Sequence, residues 1–182
     1  MKKTILLLLI CFAFKFSFAQ LEKGNWLVGG SGSFSSAKYM GIPVDFTQTN
    51  IDISTTLGYF ILNKFVTGVS GGYSYVKADY YGHPNYINSS YNTYNIGPFL
   101  RYYFLPIQQR ANVFAQTEYN LGFSDDKLYR KALSFKAGPV LYINNNIGIE
   151  FNLGYSIIQN EDSVRKIYAF QTGIGFQIHL KK

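Results

Sequence analysis

The chain has 182 residues, with 17 Lys and Arg against 10 Asp and Glu, a single cysteine, and 18% aromatic residues that include 16 Tyr and 16 Phe. The length suits one domain. The basic excess is diffuse, with no run of like charge longer than a pair, which argues against a nucleic-acid surface, and one cysteine allows neither a disulfide framework nor a thiolate metal site.

Residues 1–19, MKKTILLLLICFAFKFSFA, carry Lys2 and Lys3, an apolar run from Ile5 to Phe14, and a small-residue exit at Ser17-Phe18-Ala19. This is the pattern of a secretory signal peptide, cleaved before Gln20. The apolar run is too short for a spanning helix, which needs about 20 residues. Cys11 follows Ile10 inside that run and reads as an apolar leader residue rather than an acylation site. Residues 20–182 are then the exported domain, without cysteine.

From residue 20 onward no stretch keeps a helical period. Strict alternation recurs instead, the mark of strands with two unlike faces. It predicts eight strands, at about 24–36, 46–61, 65–78, 91–104, 111–123, 132–143, 147–157 and 167–180. In the second, Ile51, Ile53, Leu57, Tyr59 and Ile61 oppose Asp52, Ser54, Thr56 and Gly58. In the fifth, Val113, Ala115, Thr117, Tyr119, Leu121 and Phe123 oppose Asn112, Gln116, Glu118, Asn120 and Gly122, and Phe114 breaks the pattern. The seventh sets Ile147, Ile149, Phe151, Leu153, Tyr155 and Ile157 against Gly148, Glu150, Asn152, Gly154 and Ser156. The last sets Tyr168, Phe170, Thr172, Ile174, Phe176, Ile178 and Leu180 against Ala169, Gln171, Gly173, Gly175, Gln177 and His179.

The connections alternate in length. Short ones fall at 62–64, 105–110 and 144–146, and longer ones at 37–45, 79–90, 124–131 and 158–166. Gly58, Gly97, Gly138 and Gly175 head similar aromatic strand ends at intervals of 37–41 residues. One hairpin and one long loop per repeat fits an up-and-down meander.

A soluble barrel keeps its apolar face inside. Here every strand has a continuous apolar face, while charges and glycines share the other, so water would leave about eight greasy stripes uncovered. A bilayer covers them. Spanning strands need about 9–11 residues, and closure satisfies every backbone group. Even strand number, alternating loop lengths and apolar-out/polar-in patterning predict an all-β fold, an eight-stranded antiparallel up-and-down transmembrane β-barrel. Trp26, Tyr59, Tyr102, Phe104 and Tyr142 gather near the short turns. Phe34, Tyr73, Tyr75, Tyr94, Phe123, Tyr155 and Tyr168 gather near the long loops. Those that face lipid would form two interfacial girdles.

With its signal peptide, its alternating strands, GPFLRYYF at 97–104 and the hairpin GPVLYINNNIGIEFNLGYS at 138–156, the chain resembles the small outer-membrane β-barrel domain family. It is similar in build to the OmpA transmembrane domain and to OmpX. The resemblance implies the cell outer membrane, periplasmic termini, extracellular long loops and no one biochemical role.

By parity the inward charged and titratable groups are Asp52, Arg101, Glu118, Lys136, Glu150 and His179. Buried charges are expensive unless paired, so a salt-bridged polar plug is expected to close the lumen. A hairpin centred on residue 127 would set Glu118 opposite Lys136. Arg101 is left to Glu150 or Glu118. Eight strands leave a bore just wide enough for side chains, so a narrow pore is the lesser alternative. A lipid-modifying enzyme is another, and it would need His83 or His179 beside a nucleophile. No spacing supplies one, so no catalytic residue, metal ligand or cofactor is expected. Asp125-Asp126 and Glu161-Asp162 read as solvated loop acids. Tyr39, Tyr80, Tyr81, His83, Tyr86 and Tyr129 fall in the long loops as candidate contacts for a surface or envelope protein partner. The protein is expected to be a monomer among outer-membrane lipids.

Overall fold

The computed structural model describes residues 21–40, 45–81, 87–124, 127–161 and 166–181. They form eight antiparallel strands: β1 (Trp26–Tyr39), β2 (Asp45–Leu62), β3 (Phe65–Tyr81), β4 (Ser89–Tyr103), β5 (Ala111–Ser124), β6 (Lys127–Tyr142), β7 (Ile147–Asn160) and β8 (Lys166–Leu180). Each pairs with its chain neighbours, and β1 pairs with β8 to close a barrel. Among the described residues no helix is long and apolar enough to cross a membrane. The predicted signal peptide lies outside the described residues.

The strands run further than the alternation signalled. Within the stretches expected as loops at 79–90 and 124–131, β3 continues to Tyr81, β4 begins at Ser89 and β6 begins at Lys127. Backbone pairing needs no side-chain contrast, so the ladder continues where both faces are wet and the alternation fades. Tyr80, Tyr81 and Tyr129 therefore stand on strands, not loops. Tyr39 is the last residue of β1, in register with Phe46. His83 and Tyr86 lie outside the described residues.

The outward face is apolar around the whole circumference. Ile53, Val69, Ile96, Val113, Phe135, Phe151 and Ile174 are all exposed, one or more on each of β2 to β8, and Trp26 and Phe34 are exposed on β1. Aromatics pair at both rims. Trp26 meets Tyr59 edge-on at 5.1 Å and Tyr102 meets Phe104 at 5.2 Å near the short turns, while Tyr73–Tyr94 (5.3 Å) and Tyr155–Tyr168 (6.3 Å) lie toward the long connections. Tyr142 departs from its expected place in the lower girdle: it is buried inside the barrel.

The turns at the short end are built from local polar contacts. The Asn144 side chain accepts from the amides of Asn146 (2.9 Å) and Ile147 (2.8 Å), an Asx turn. Asn112 Oδ1 accepts from the Leu105 amide at 2.9 Å and its Nδ2 donates to the Leu105 carbonyl at 3.2 Å, pinning the 104–110 connection. Residues 21–25 tuck beneath the barrel. Leu21 is fully buried and its carbonyl accepts from the Lys64 amide at 2.8 Å.

The two Gly-Pro pairs, Gly97-Pro98 and Gly138-Pro139, interrupt the ladder without shifting it. The β4–β5 register stays constant on either side of the first, and the β6–β7 register on either side of the second. Proline offers no amide to the next strand. At that gap the neighbouring backbone slides in: a Cβ on Gly97 would overlap the Tyr119 carbonyl oxygen, and one on Gly138 the Phe151 carbonyl oxygen. Gly58 and Gly68 are paired across β2–β3 and make room for the inward Phe99 ring.

Gly97→Ala and Gly138→Ala should therefore each destabilise the barrel by about 1–3 kcal/mol, the range for overpacking a tight site. Gly32→Ala, whose Cβ would meet only the Asp52 carbonyl oxygen at 3.8 Å, should be neutral. The midpoint of the heat-induced gel-mobility transition measures all three.

Candidate functional site: the barrel lumen

The lumen is layered. At the short-turn end the inward face is not polar, as the alternation suggested, but apolar. Leu27, Phe60, Val66, Phe99, Phe114 and Val140 are fully or almost fully buried there, with Tyr103 and Tyr142 beside them. The lower third of the barrel is thus apolar on both faces. Parity along β2, β4 and β6 places Phe60, Phe99, Tyr103 and Tyr142 inside, so the signal was present. Only Tyr142 among them was grouped with the girdle aromatics.

His179 belongs to this floor rather than to the charge network. It is fully buried, with ring centroids 5.5 Å from Phe60, 6.2 Å from Tyr103 and 5.6 Å, edge-on, from Tyr142. Its carbonyl accepts from the Asn146 side chain at 2.7 Å.

Directly above the floor stands Arg101, 4% exposed. Its guanidinium lies 4.3 Å from the Phe114 ring centroid, a cation–π contact. That explains the one aromatic that broke the β5 alternation: Phe114 faces inward to carry the cation. Nη1 donates to Glu150 at 2.8 Å, to Gln177 at 3.0 Å and to the Tyr103 hydroxyl at 3.3 Å, while Nε donates to Gln116 at 2.6 Å. Glu150, on β7, is the acid that holds Arg101. The Tyr103 hydroxyl donates to Gln177 at 2.6 Å, which couples the floor to the ion pair.

The second pair, Lys136–Glu118, closes at 2.8 Å. Its geometry differs from a hairpin centred on residue 127. Glu118 is in register with Ser134, and Lys136 with Gln116, so the bridge runs diagonally across the β5–β6 ladder. The register also shifts between Gly122 and Phe123, which no symmetric count can anticipate. Diagonal neighbours about 7–8 Å apart are within reach of a long side chain such as Lys. Gln116 links the two pairs, accepting from Arg101 and donating through Nε2 to Glu118 at 2.8 Å. The chain of contacts is Lys136–Glu118–Gln116–Arg101–Glu150.

Asp52 stands apart from this chain. It is exposed, accepts from the Ser33 hydroxyl at 3.1 Å, and lines the space above. That space is a cavity of about 350 Å³, so the plug does not fill the barrel. Its walls are small hydroxyls and amides, paired with one another: Ser31 with Ser54 (2.6 Å), Ser134 with Ser156 (2.8 Å), and Ser70 donating to Asn120 (3.0 Å). Arg130 also lines it. Sequence reasoning missed Arg130 because it started the sixth strand at 132; its parity matches Lys136. Among the described residues no group of three or more His, Cys, Asp and Glu could hold a metal.

Of the tyrosines proposed as contacts, Tyr80 packs against Phe46 at 5.3 Å and its amide donates to Asn88 at 2.9 Å. Tyr81 is exposed. Tyr129 is half-buried, with the Arg130 guanidinium 5.4 Å from its ring centroid.

Truncating one member of a buried ion pair strands the other, at about 3–5 kcal/mol. Glu150→Ala should cost that much, measured by urea unfolding in lipid vesicles through Trp26, the sole tryptophan. The double variant Arg101→Met/Glu150→Gln should cost less than the sum of its single changes. Lys136→Met should cost less than Glu150→Ala, because Lys136 is partly exposed and Gln116 still donates to Glu118. Additive single and double effects would show that Arg101 and Glu150 are not coupled.

No family model and no curated protein matches the chain. Solved structures do. The chain is similar to the crystal structure of Neisserial surface protein A, at 16% identity over 86% of this chain and 97% of that one, with a TM-score of 0.54. It is also similar to the outer membrane protein OprG from Pseudomonas aeruginosa, at 12% identity over 88% and 98%, with a TM-score of 0.53. In fold, the chain is a small eight-stranded barrel of the kind found in outer-membrane proteins.

Proposed function

We propose that the protein is an integral outer-membrane β-barrel, sealed at its short-turn, periplasmic end, with a structural or surface-interaction role rather than an enzymatic one. The observation that carries this reading is the apolar belt to which the outward faces of all eight strands contribute. Monomeric soluble proteins rarely expose contiguous apolar patches beyond a few hundred Å², whereas lipid requires such a belt. The aromatic pairs at both rims lie where amphipathic rings favour the headgroup level.

The floor supports a non-conducting lumen. Phe60, Tyr103, Phe114, Tyr142 and His179 occupy the bore at the short-turn end, and an eight-stranded bore holds little more than side chains. His179 is too deeply walled in by rings to reach a lipid ester. The strand extensions with Tyr80, Tyr81 and Tyr129 rise above the belt on the long-connection side. Together with Tyr39, His83 and Tyr86 they are the proposed contact surface for a surface or envelope protein.

The protein should fractionate with the outer membrane and migrate faster in unboiled than in boiled gel samples. A soluble protein without that shift would overturn the membrane reading. In planar bilayers it should pass no stepwise current at any voltage; discrete conductance steps would overturn the sealed floor.

A further inference from the structure

The barrel closes unevenly. β1 pairs with β2 along its whole length, Trp26 to Tyr39. With β8 it pairs only from Trp26↔Leu180 to Ser31↔Gly175. Above that point, among the described residues, no ladder joins Gly32–Tyr39 to Lys166–Ile174. The glycines report the same gap. A Cβ on Gly30 would touch the Phe176 ring at 3.3 Å, and one on Gly175 the Gly30 carbonyl oxygen at 3.0 Å, so the strands are in contact there. A Cβ on Gly32 would meet only β2, and one on Gly173 only Asn152 of β7.

The sequence accounts for the weakness. β1 reads Gly29-Gly30-Ser31-Gly32-Ser33 and β8 reads Gly173-Ile174-Gly175 along this seam. Cross-strand side-chain pairs stabilise a sheet, and glycines supply none.

At the gap lies an open hollow of about 470 Å³ that shares Gly32, Ser33, Asn152 and Gly173 with the lumenal cavity. Its outer lip is apolar, made by Phe34, Phe151, Leu153 and Ile174, all exposed in the belt. Its inner lip, Ser33, Asn152 and Gly173, also lines the lumenal cavity. Backbone without a strand partner is tolerated at membrane depth only where it lines a polar space, and the lumenal cavity is that space. The six charged groups around the cavity are balanced, with Asp52, Glu118 and Glu150 against Arg101, Arg130 and Lys136. The other walls are hydroxyls and amides, and the floor blocks passage to the short-turn end.

We propose that the β1–β8 seam is a lateral portal for a zwitterionic amphiphile of the bilayer. Its headgroup enters the Ser- and Asn-lined lumen while its acyl chain stays outside, against Phe34 and Ile174. A polar, charge-balanced chamber suits a zwitterionic headgroup and rejects the chain. The portal rests on the outer-membrane reading, and the gel-mobility shift tests that reading separately in the same vesicles.

The test uses phosphatidylcholine vesicles doped with a zwitterionic phospholipid that carries a diazirine on its headgroup. Photolabel should appear on the inward-facing Ser33 and Asn152, at belt depth. Continuing the β1–β8 register would pair residue 33 with residue 173, so the Ser33→Cys/Gly173→Cys variant can lock the seam, with no other cysteine in residues 20–182. Oxidation should cut lumenal labelling several-fold, and a reductant should restore it. Ser31→Cys/Gly175→Cys, within the paired part, should cross-link and leave labelling unchanged. If the 33/173 bridge does not form, lumenal labelling in the reduced protein supports the portal and its absence overturns it. In inserted protein, label confined to the two barrel rims, or label indifferent to the lock, overturns the portal and leaves the membrane reading intact.

Discussion

Arg101 is the charge around which the lumen is organised. From one side chain on β4 it donates to Gln116 on β5, Glu150 on β7, Gln177 on β8 and its strand-mate Tyr103, while its plane lies over Phe114. Desolvating a guanidinium costs several kcal/mol, and a buried pair roughly repays that cost without adding much net stability. The gain is in geometry. A slip of β4, β5, β7 or β8 by one residue would turn a partner to the outward face and leave the guanidinium stranded. The network therefore penalises wrong registers far more than it deepens the right one.

The aromatic floor and the glycine–proline pairs serve that same arrangement. The floor removes water from beneath Arg101, which strengthens its pairing. The backbone approaches at Gly97 and Gly138 narrow the wall at the same point of two repeats, 41 residues apart. Both glycines face the lumen with Phe99 and Val140 two positions below, so the narrowing lies just above the floor. Small residues there let neighbouring strands close in where large side chains already fill the bore.

The upper half follows a different logic. Apart from Asp52 and Arg130, its inward side chains are mainly Ser, Thr, Asn and Gly, several of which bond to one another, and they leave a cavity. The same small residues hold the β1–β8 seam weakly. A filled, ion-paired lower half and a hollow, loosely seamed upper half make the barrel asymmetric along its axis, with its lumenal space on the long-connection side.

Much of this was legible along the chain. A period of two specifies which residues share a face, and so the apolar belt, the strand number and the inward positions of Arg101, Glu118, Lys136 and Glu150 followed from the sequence alone. Phe114 stood out as a break in alternation and proved to be the ring beneath the cation. Parity, however, says nothing about height or register. The diagonal offset that joins Lys136 to Glu118 comes from the register of the β5–β6 hairpin, whereas the acid that meets Arg101, the place of His179 among rings rather than charges, and the early end of the β1–β8 ladder depend on how strands far apart in sequence are staggered around the barrel. Local alternation carries one dimension of that arrangement; stagger is set only when the eighth strand meets the first, and there it was decided by closure of the whole ring.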